Sequence, residues 1–417
     1  MTSPRSPVVG RLSRVEFTIL ISMIMAIVAL AIDMMLPAFG EIRESFGLVE
    51  DSNQLAPIVT FFFIGLAVGQ PFWGPLSDAL GRKRILYWGL AVYVVGAIGA
   101  VWAPSLELLF LFRFIGGLGA AGPRVVALSV VRDVYEGEAM ARALSFIMAV
   151  FLLVPIIAPT LGAVVLEVGR WQMVFWVMVV FAITVGVWSI RLPETLAPPD
   201  RVPLEFTRLR RAASMVLSTK TTMGFTLAQT AMFGFFTSFL ASSQLIVDDV
   251  FDLGTWFPVI FAGSAALIGV AILMNTYWLT RFGLRRVIRT ATVGHLAASL
   301  AFMMVIVVSD GTPSFTAFAI GFVPISLTYA MLIPNLNSAA LAPMGAIAGT
   351  ASAVIGATTL LGGSIIGSLV DRAYDGSVLP FGIAAGVLGI VAFILTTWAQ
   401  QAWGDSVQPE PATARSS

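Results

Sequence analysis

Asp33 is the one carboxylate set deep within an apolar stretch, between MAIVALAI and MMLPAF; the other acidic residues of the 417-residue chain lie in connecting segments or near the ends of apolar runs. A lone ionised carboxylate at the centre of a bilayer costs about 2.5–3.5 kcal/mol on insertion scales, so such a group takes a partner or a proton. The chemistry on offer is reversible protonation; a fixed ion pair that merely locks helices is the alternative. Two arginines, Arg113 and Arg124, interrupt another apolar stretch eleven residues apart. At about 100° per residue they share one helix face, roughly 16 Å apart along the axis. A face of that kind lines a cavity rather than lipid. For Arg124 the alternative is a side chain reaching up to the interface.

The elements that must position these groups are membrane helices. The chain is 58% hydrophobic and 11% charged, against the roughly 45–50% apolar content of soluble domains. About 20 apolar residues span a bilayer, and that window gives twelve spans: 15–38, 54–75, 84–102, 106–130, 142–166, 172–191, 221–243, 255–278, 287–308, 315–340, 347–370 and 380–402. The predicted organisation is an N-terminal segment 1–14, a six-helix bundle 15–191, a central loop 192–220, a second six-helix bundle 221–402, and a polar tail 403–417 expected to be disordered. Arg5, Arg11 and Arg14 before an apolar run resemble a signal peptide, but cleavage near residue 31 would leave eleven spans and break the pairing of the halves. With both termini in the cytoplasm, nineteen basic residues fall inside and three (Arg43, Arg170 and Arg372) outside, as the positive-inside rule requires.

The halves echo each other. GPLSDALGRKR (74–84) joins spans 2 and 3, and TYWLTRFGLRR (276–286) joins spans 8 and 9, with Gly81 matching Gly283. Two parallel six-helix repeats are a transporter architecture. Asp33 and Arg113 lie toward the outer ends of spans 1 and 4, at similar depth, and are the predicted pair. Spans 7 and 10 are the counterparts of 1 and 4, so Gln229, Asn335 and Asn337 are candidate polar contacts to a substrate. Phe233, Phe236 and Tyr329 add aromatic surface; packing is the alternative for each. His295, in span 9, reads as structural. Pro155, Pro159 and Gly162 interrupt span 5 and suit a hinge, with ordinary packing as the alternative.

Other chemistries are excluded. The chain has no cysteine and one histidine, which removes disulfides, thiol nucleophiles, the usual zinc sites and Ser-His-Asp hydrolysis. A single intramembrane aspartate makes no aspartyl dyad. The chain reads as a transporter and not an enzyme.

GPLSDALGRKR is similar to the loop signature G-x-x-x-D-x-x-G-R-[KR] of the major facilitator superfamily. With AIDMMLPAF (31–39), FRFIGGLGAAG (112–122), VRDVY (131–135) and VPIIAPTLGA (154–163), the chain resembles the twelve-span drug:proton antiporters of the Bcr/CflA type, linked to bicyclomycin and chloramphenicol resistance. The resemblance covers the first half closely and the second mainly in span layout. It implies an all-α membrane fold with two pseudo-symmetric bundles around a central cavity, in a bacterial inner membrane. It implies Asp33 as the proton-coupling acid, Arg113 as the arginine sensing its charge, and Asp78, Arg82 and Asp133 as a cytoplasmic charge relay, with Gly74, Gly81 and Lys83 completing the loop signature. Asp78 could also face the start of span 11, where a helix dipole favours an anion. No organic cofactor or metal is implied, only protons; the partners are a small-molecule substrate and the bilayer, with no nucleic acid and a monomeric state. Departures are Ala79, Ala158, Ala163 and Arg124. One acid with two arginines leaves the first-half core net positive when Asp33 is ionised, which disfavours dications and favours neutral or anionic amphipaths. Export or import of a single metabolite is the alternative function, and a non-transporting sensor a remote one.

Overall fold

The computed structural model describes residues 12–48, 53–203 and 206–405, and among these the chain is helical with no strand. Twelve helices are long and apolar enough to cross a membrane. In the first half they are α1 (Arg14–Asp33), α2 (Ala56–Leu80), α3 (Arg82–Val101), α4 (Leu106–Val134), α5 (Gly137–Val168) and α6 (Gln172–Trp188). In the second half they are α7 (Lys220–Leu245), α8 (Phe257–Phe282), α9 (Leu284–Val308), α10 (Phe315–Leu341), α11 (Ala348–Arg372) and α12 (Leu379–Asp405). Each corresponds to one predicted span. Several are longer than the apolar windows, because polar caps extend them: Ser13, Ser105 and Ser314 accept the backbone N–H groups of Glu16, Leu108 and Ala317, satisfying donors that the first turn leaves orphaned.

The central segment 192–220 is not simply a loop. It holds a connecting helix, Phe206–Ser218, whose Ala212 and Val216 are fully buried while Arg210, Arg211 and Leu217 are exposed. Apolar Ala212 and Val216, four residues apart, fall on one face of this helix and the basic residues Arg210 and Arg211 on the other. Residues 403–405 continue α12 rather than beginning the tail. Residues 1–11 and 406–417, with Arg5, Arg11 and Arg415, lie outside the described residues.

The first helix of each half is the most enclosed: 89% of the apolar window is buried in both α1 and α7, against 22% in α8. In the first half α2 and α3 pack on α4; in the second α11 and α12 pack on α7. The halves meet along α2 with α11 and α5 with α8. Large apolar side chains such as Val180, Val187, Leu273, Val308 and Ile320 face outward, as a lipid-facing surface requires.

The internal repeat is visible in the backbone. Gly81 ends α2 and starts α3 with φ 100°, and Gly283 ends α8 and starts α9 with φ 75°; only glycine takes that region without steric cost. Both loops lie at the same end of the molecule, the basic end; the opposite end is called the far end below. In α4 the glycines serve close approach. A Cβ on Gly117 would stand 1.9 Å from the Phe62 carbonyl oxygen of α2, whereas a Cβ on Gly263 of α8 would meet nothing within 4 Å. Gly117→Ala should therefore lower stability by about 1–3 kcal/mol through overpacking, while Gly263→Ala should be neutral or slightly stabilising; thermal unfolding of the two purified variants in detergent compares them.

Candidate functional site

The site begins where α1 stops. Pro37 has no N–H to give the Asp33 carbonyl, and the chain tightens into a 3₁₀ turn over Leu36–Ala38. Met34 N–H donates to the Leu30 carbonyl and Met35 N–H to that of Ile32, so the carbonyl of Ala31 is passed over. Arg113 from α4 takes it: Nη2 donates to Ala31 O at 2.9 Å and Nε to Ile58 O of α2 at 3.2 Å. The guanidinium also lies over the Phe62 ring, 4.4 Å from its centroid. Arg113 is 4% exposed, and these contacts supply the hydrogen bonds and π-face that a buried cation needs.

Asp33 is 5% exposed and makes no hydrogen bond or ion pair among the described residues. The predicted Asp33–Arg113 pair is thus not formed in this conformation. The two do come to the same place, but Arg113 binds the backbone two residues before Asp33 instead of its carboxylate, because the break in α1 leaves a carbonyl acceptor there. Gly162 of α5 closes on the same break: a Cβ at this residue would stand 2.1 Å from Met34 O. Pro155 and Pro159 do not interrupt α5, which runs unbroken from Gly137 to Val168; each proline costs one backbone bond without ending the helix.

Toward the middle of the molecule an aromatic chain crosses between the halves. Phe63 of α2 meets Phe233 edge-on at 5.3 Å, Phe233 lies 6.1 Å from Phe236, and Phe236 stacks on Tyr329 at 4.9 Å. The predicted aromatic residues are therefore joined. Phe236 and Tyr329 line a small cleft with Phe239, Phe322 and Ser326, with about 10 Å³ of free volume, about enough for one water. Arg124 is half-buried, on α4 nearer the basic end, and makes no hydrogen bond among the described residues.

Asn335 is engaged by another side chain in this conformation. Its Nδ2 donates to Asn275 Oδ1 at 2.8 Å, and Asn275 Nδ2 donates back at 3.3 Å. This reciprocal amide pair ties α10 to α8, and Asn275 had no signal in the sequence beyond being a polar residue in an apolar span. Gln229 donates to the Phe225 carbonyl of its own helix at 3.2 Å. Asn337 is half-buried. His295 lies 2.8 Å from Thr328 Oγ1, a contact between α9 and α10 that fits its structural reading.

At the basic end the predicted cluster is assembled. Arg82 Nε donates to Asp133 Oδ2 at 2.9 Å, Nη1 donates to Ser77 Oγ at 3.0 Å, and Nη1 also pairs with Asp78. Asp78 makes this bond and no hydrogen bond to α11. Ser77 was not foreseen from the sequence, nor were two members from the segment after α6. Thr195 Oγ1 donates to Asp133 Oδ2 at 2.8 Å, and the Glu194 carboxylate accepts the backbone N–H groups of Arg82 at 2.9 Å and Lys83 at 3.1 Å. Gly81 has no side chain to cap α3, so a distant carboxylate caps it, at the end where a helix dipole favours negative charge. A glycine preceding Arg82-Lys83 was the available signal for such an outside acceptor. Lys83 Nζ donates to Ile190 O at 2.9 Å. Gly74, inside α2, has Val125 of α4 as its neighbour.

The family model described as Major Facilitator Superfamily matches residues 21–367. The chain belongs to the major facilitator superfamily. Among relatives of this transporter, a bicyclomycin resistance protein homolog of Haemophilus influenzae is 25% identical over 371 residues, covering 88% of this chain and 92% of that protein. A multidrug resistance protein MdtL of Klebsiella pneumoniae is 26% identical, again covering 88% and 92%. Among solved structures, a D-xylose-proton symporter superposes with TM-score 0.69 at 13% identity, covering 90% of this chain and 97% of that one. The E. coli xylose transporter XylE, in a partially occluded inward-open conformation, gives 0.71 at 12% identity and covers 95% and 98%. These likenesses establish the superfamily fold, and the superfamily is one of transporters rather than enzymes.

The basic-end cluster carries a stability prediction. Asp133→Asn removes the charged acceptor shared by Arg82 and Thr195 and should cost about 1–3 kcal/mol, seen as a lowered midpoint of thermal unfolding; Arg281→Ala, whose side chain meets the exposed Tyr277 of α8, should leave the midpoint nearly unchanged.

Proposed function

We propose that this superfamily transporter exports small amphipathic organic compounds, drugs among them, in exchange for protons, by alternating access. The observation that carries the reading is the buried Asp33 carboxyl, without cation or donor among the described residues, beside an arginine that holds the backbone of the same helix. In the proposed cycle this conformation carries the protonated acid. Loss of the proton leaves a charge that draws Arg113 from the Ala31 carbonyl toward Asp33, and α1 shifts against α4 and against Gly162 of α5. Substrate and proton then compete for the same conformational change, as exchange requires. Pro155 and Pro159 give α5 fewer backbone bonds to distort during the shift.

The drug-like substrate class is supported by the names of the relatives, one a bicyclomycin resistance protein homolog and one a multidrug resistance protein. The chemistry of the core narrows it. The aromatic chain from Phe63 to Tyr329 offers apolar, π-rich contact, with Gln229 and Asn337 near it in sequence, and Arg124 adds a cation with no protein partner among the described residues. Neutral or anionic amphipaths fit that set. Protons are the only coupling species required, and the bilayer and one small molecule the only partners; the working unit is a monomer. The basic end faces the cytoplasm, with both termini there, in a bacterial inner membrane; the nineteen-to-three partition of basic residues supports this orientation.

Reconstituted protein tests the reading. Adding neutral or anionic amphipaths to proteoliposomes should produce a substrate-dependent pH change in the wild type, and Asp33→Asn should abolish it. Equal transport by both, with no pH change, would make Asp33 structural and the protein a carrier of one metabolite or a differently coupled one.

A further inference from the structure

The far end holds a second buried carboxylate that the scheme above does not use. Asp371, at the end of α11, is 4% exposed. Its Oδ1 accepts from Ser238 Oγ at 2.6 Å and from Ser242 Oγ at 2.9 Å, both on α7. Asn53, just before α2 in the other half, donates through Nδ2 to Ser242 Oγ at 2.7 Å. An amide NH₂ can only donate, so the Ser242 hydroxyl accepts from Asn53 and donates its own O–H to Asp371 Oδ1. The result is a directed chain from one half to the other, Asn53 to Ser242 to Asp371, that requires the carboxyl to act as acceptor on Oδ1.

Among the described residues no charged side chain pairs with Asp371. From α7 it meets the two serines, and the uncharged Asn53 reaches it only through Ser242. Its neighbour Arg372 is exposed, and α12 begins with Leu379, Pro380 and Phe381. The charges of this region gather on a separate pair: Arg43, in the short helix Phe39–Ser45, donates through Nη1 and Nη2 to the two carboxylate oxygens of Asp249 at 3.1 and 3.0 Å. Asp248 and Tyr374 lie within electrostatic reach of Arg43. Asp249 belongs to a π-helical turn, Ile246–Val250, that ends α7. Among the described residues two polar links join the halves at the far end, a bidentate ion pair and a directed hydrogen-bond chain, and the second ends on a titratable group.

We propose that Asp371 is a second proton-binding residue, acting at the outer mouth: a proton on its carboxyl weakens it as acceptor for Ser242, slackens the Asn53 bridge and lets the outer mouth open. Acid outside thus favours the outward-open state, in which a proton-driven exporter releases its cargo. The inference rests on the alternating-access reading and its orientation, not on Asp33 as the coupling acid.

The chain lacks cysteine, so Glu44→Cys and Thr255→Cys, both at exposed far-end positions, can carry a spin-label pair across the mouth. Pulsed distance measurements in lipid nanodiscs between pH 8 and pH 5 should show a several-fold rise in the long-distance population in this labelled background. Asp371→Asn should flatten that response. Ser242→Ala, which keeps the acid but cuts its link to Asn53, should flatten it too and covers the case in which Asp371→Asn misfolds. A response unchanged in either folded variant overturns the proposal, as does one abolished by Asp33→Asn but kept in Asp371→Asn. Failure of the antiport reading is seen separately, as loss of substrate-dependent pH change in liposomes.

Discussion

The carbonyl of Ala31 is the point on which the first half turns. In a membrane core every backbone acceptor must find a donor inside the protein. The end of α1 leaves the α-helical ladder before Pro37, and the Ala31 carbonyl is passed over by the backbone donors that follow it. Arg113 satisfies it, and the same bond solves the arginine's own problem, since a buried guanidinium needs acceptors and a π-face. Helices α1, α2 and α4 are fixed to one another by this residue through Ala31, Ile58 and Phe62. Asp33 sits two residues beyond the bonded carbonyl, and its carboxyl has no hydrogen-bond partner among the described residues. A cation held by a neutral acceptor lies next to an acid that has no partner among the described residues, and in the proposed cycle a change of charge on that acid moves the cation from one acceptor to the other.

The two ends of the molecule are built differently. At the basic end the polar network stays within the first half and the segment after α6: Arg82, Asp133, Asp78, Ser77, Thr195 and Glu194 hold the α2–α3 turn to α4. At the far end the polar links run between the halves, through Arg43 to Asp249 and Asn53 to Ser242. The repeat is symmetric in backbone but not in chemistry. Gly81 and Gly283 bend their turns alike, yet the second turn has Thr280 and Leu284 where the first has Asp78 and Arg82. Arg285 instead donates to the Trp403 carbonyl at 3.0 Å and stacks 4.7 Å from its ring. Acid–base bonding fixes one turn, and a cation on an aromatic face fixes the other.

Much of this was legible in the chain. Apolar runs of membrane length gave twelve helices because a bilayer admits little else, and the matching glycines gave the repeat because a positive φ has few other occupants. The Asp78–Arg82–Asp133 cluster was readable through the family resemblance, which assigns roles to Asp78 and Arg82 in the loop between spans 2 and 3 and to Asp133 after span 4. Glu194 was not, since its role depends on a chain segment more than a hundred residues away returning to an uncapped helix. Asp371 escaped for a related reason: it lies at the end of an apolar run, where a carboxylate ordinarily reaches solvent, and only the packing of α7 and Asn53 over it buries it. The Asn275–Asn335 pair was invisible because two single amides on different spans carry no pattern.

By itself the sequence determined the number of spans, their pairing into halves, the sign of charge at each end and the presence of an acid and two arginines in an apolar core. These follow from composition and local spacing, which act through the bilayer and the backbone alone. What tertiary structure decided is which groups satisfy which. Arg113 could have bonded Asp33 or a carbonyl, Asn335 a substrate or Asn275, and Asp371 water or two serines. Each choice depends on distances between helices far apart in the chain, and in a medium without water those distances settle where every buried donor and acceptor goes.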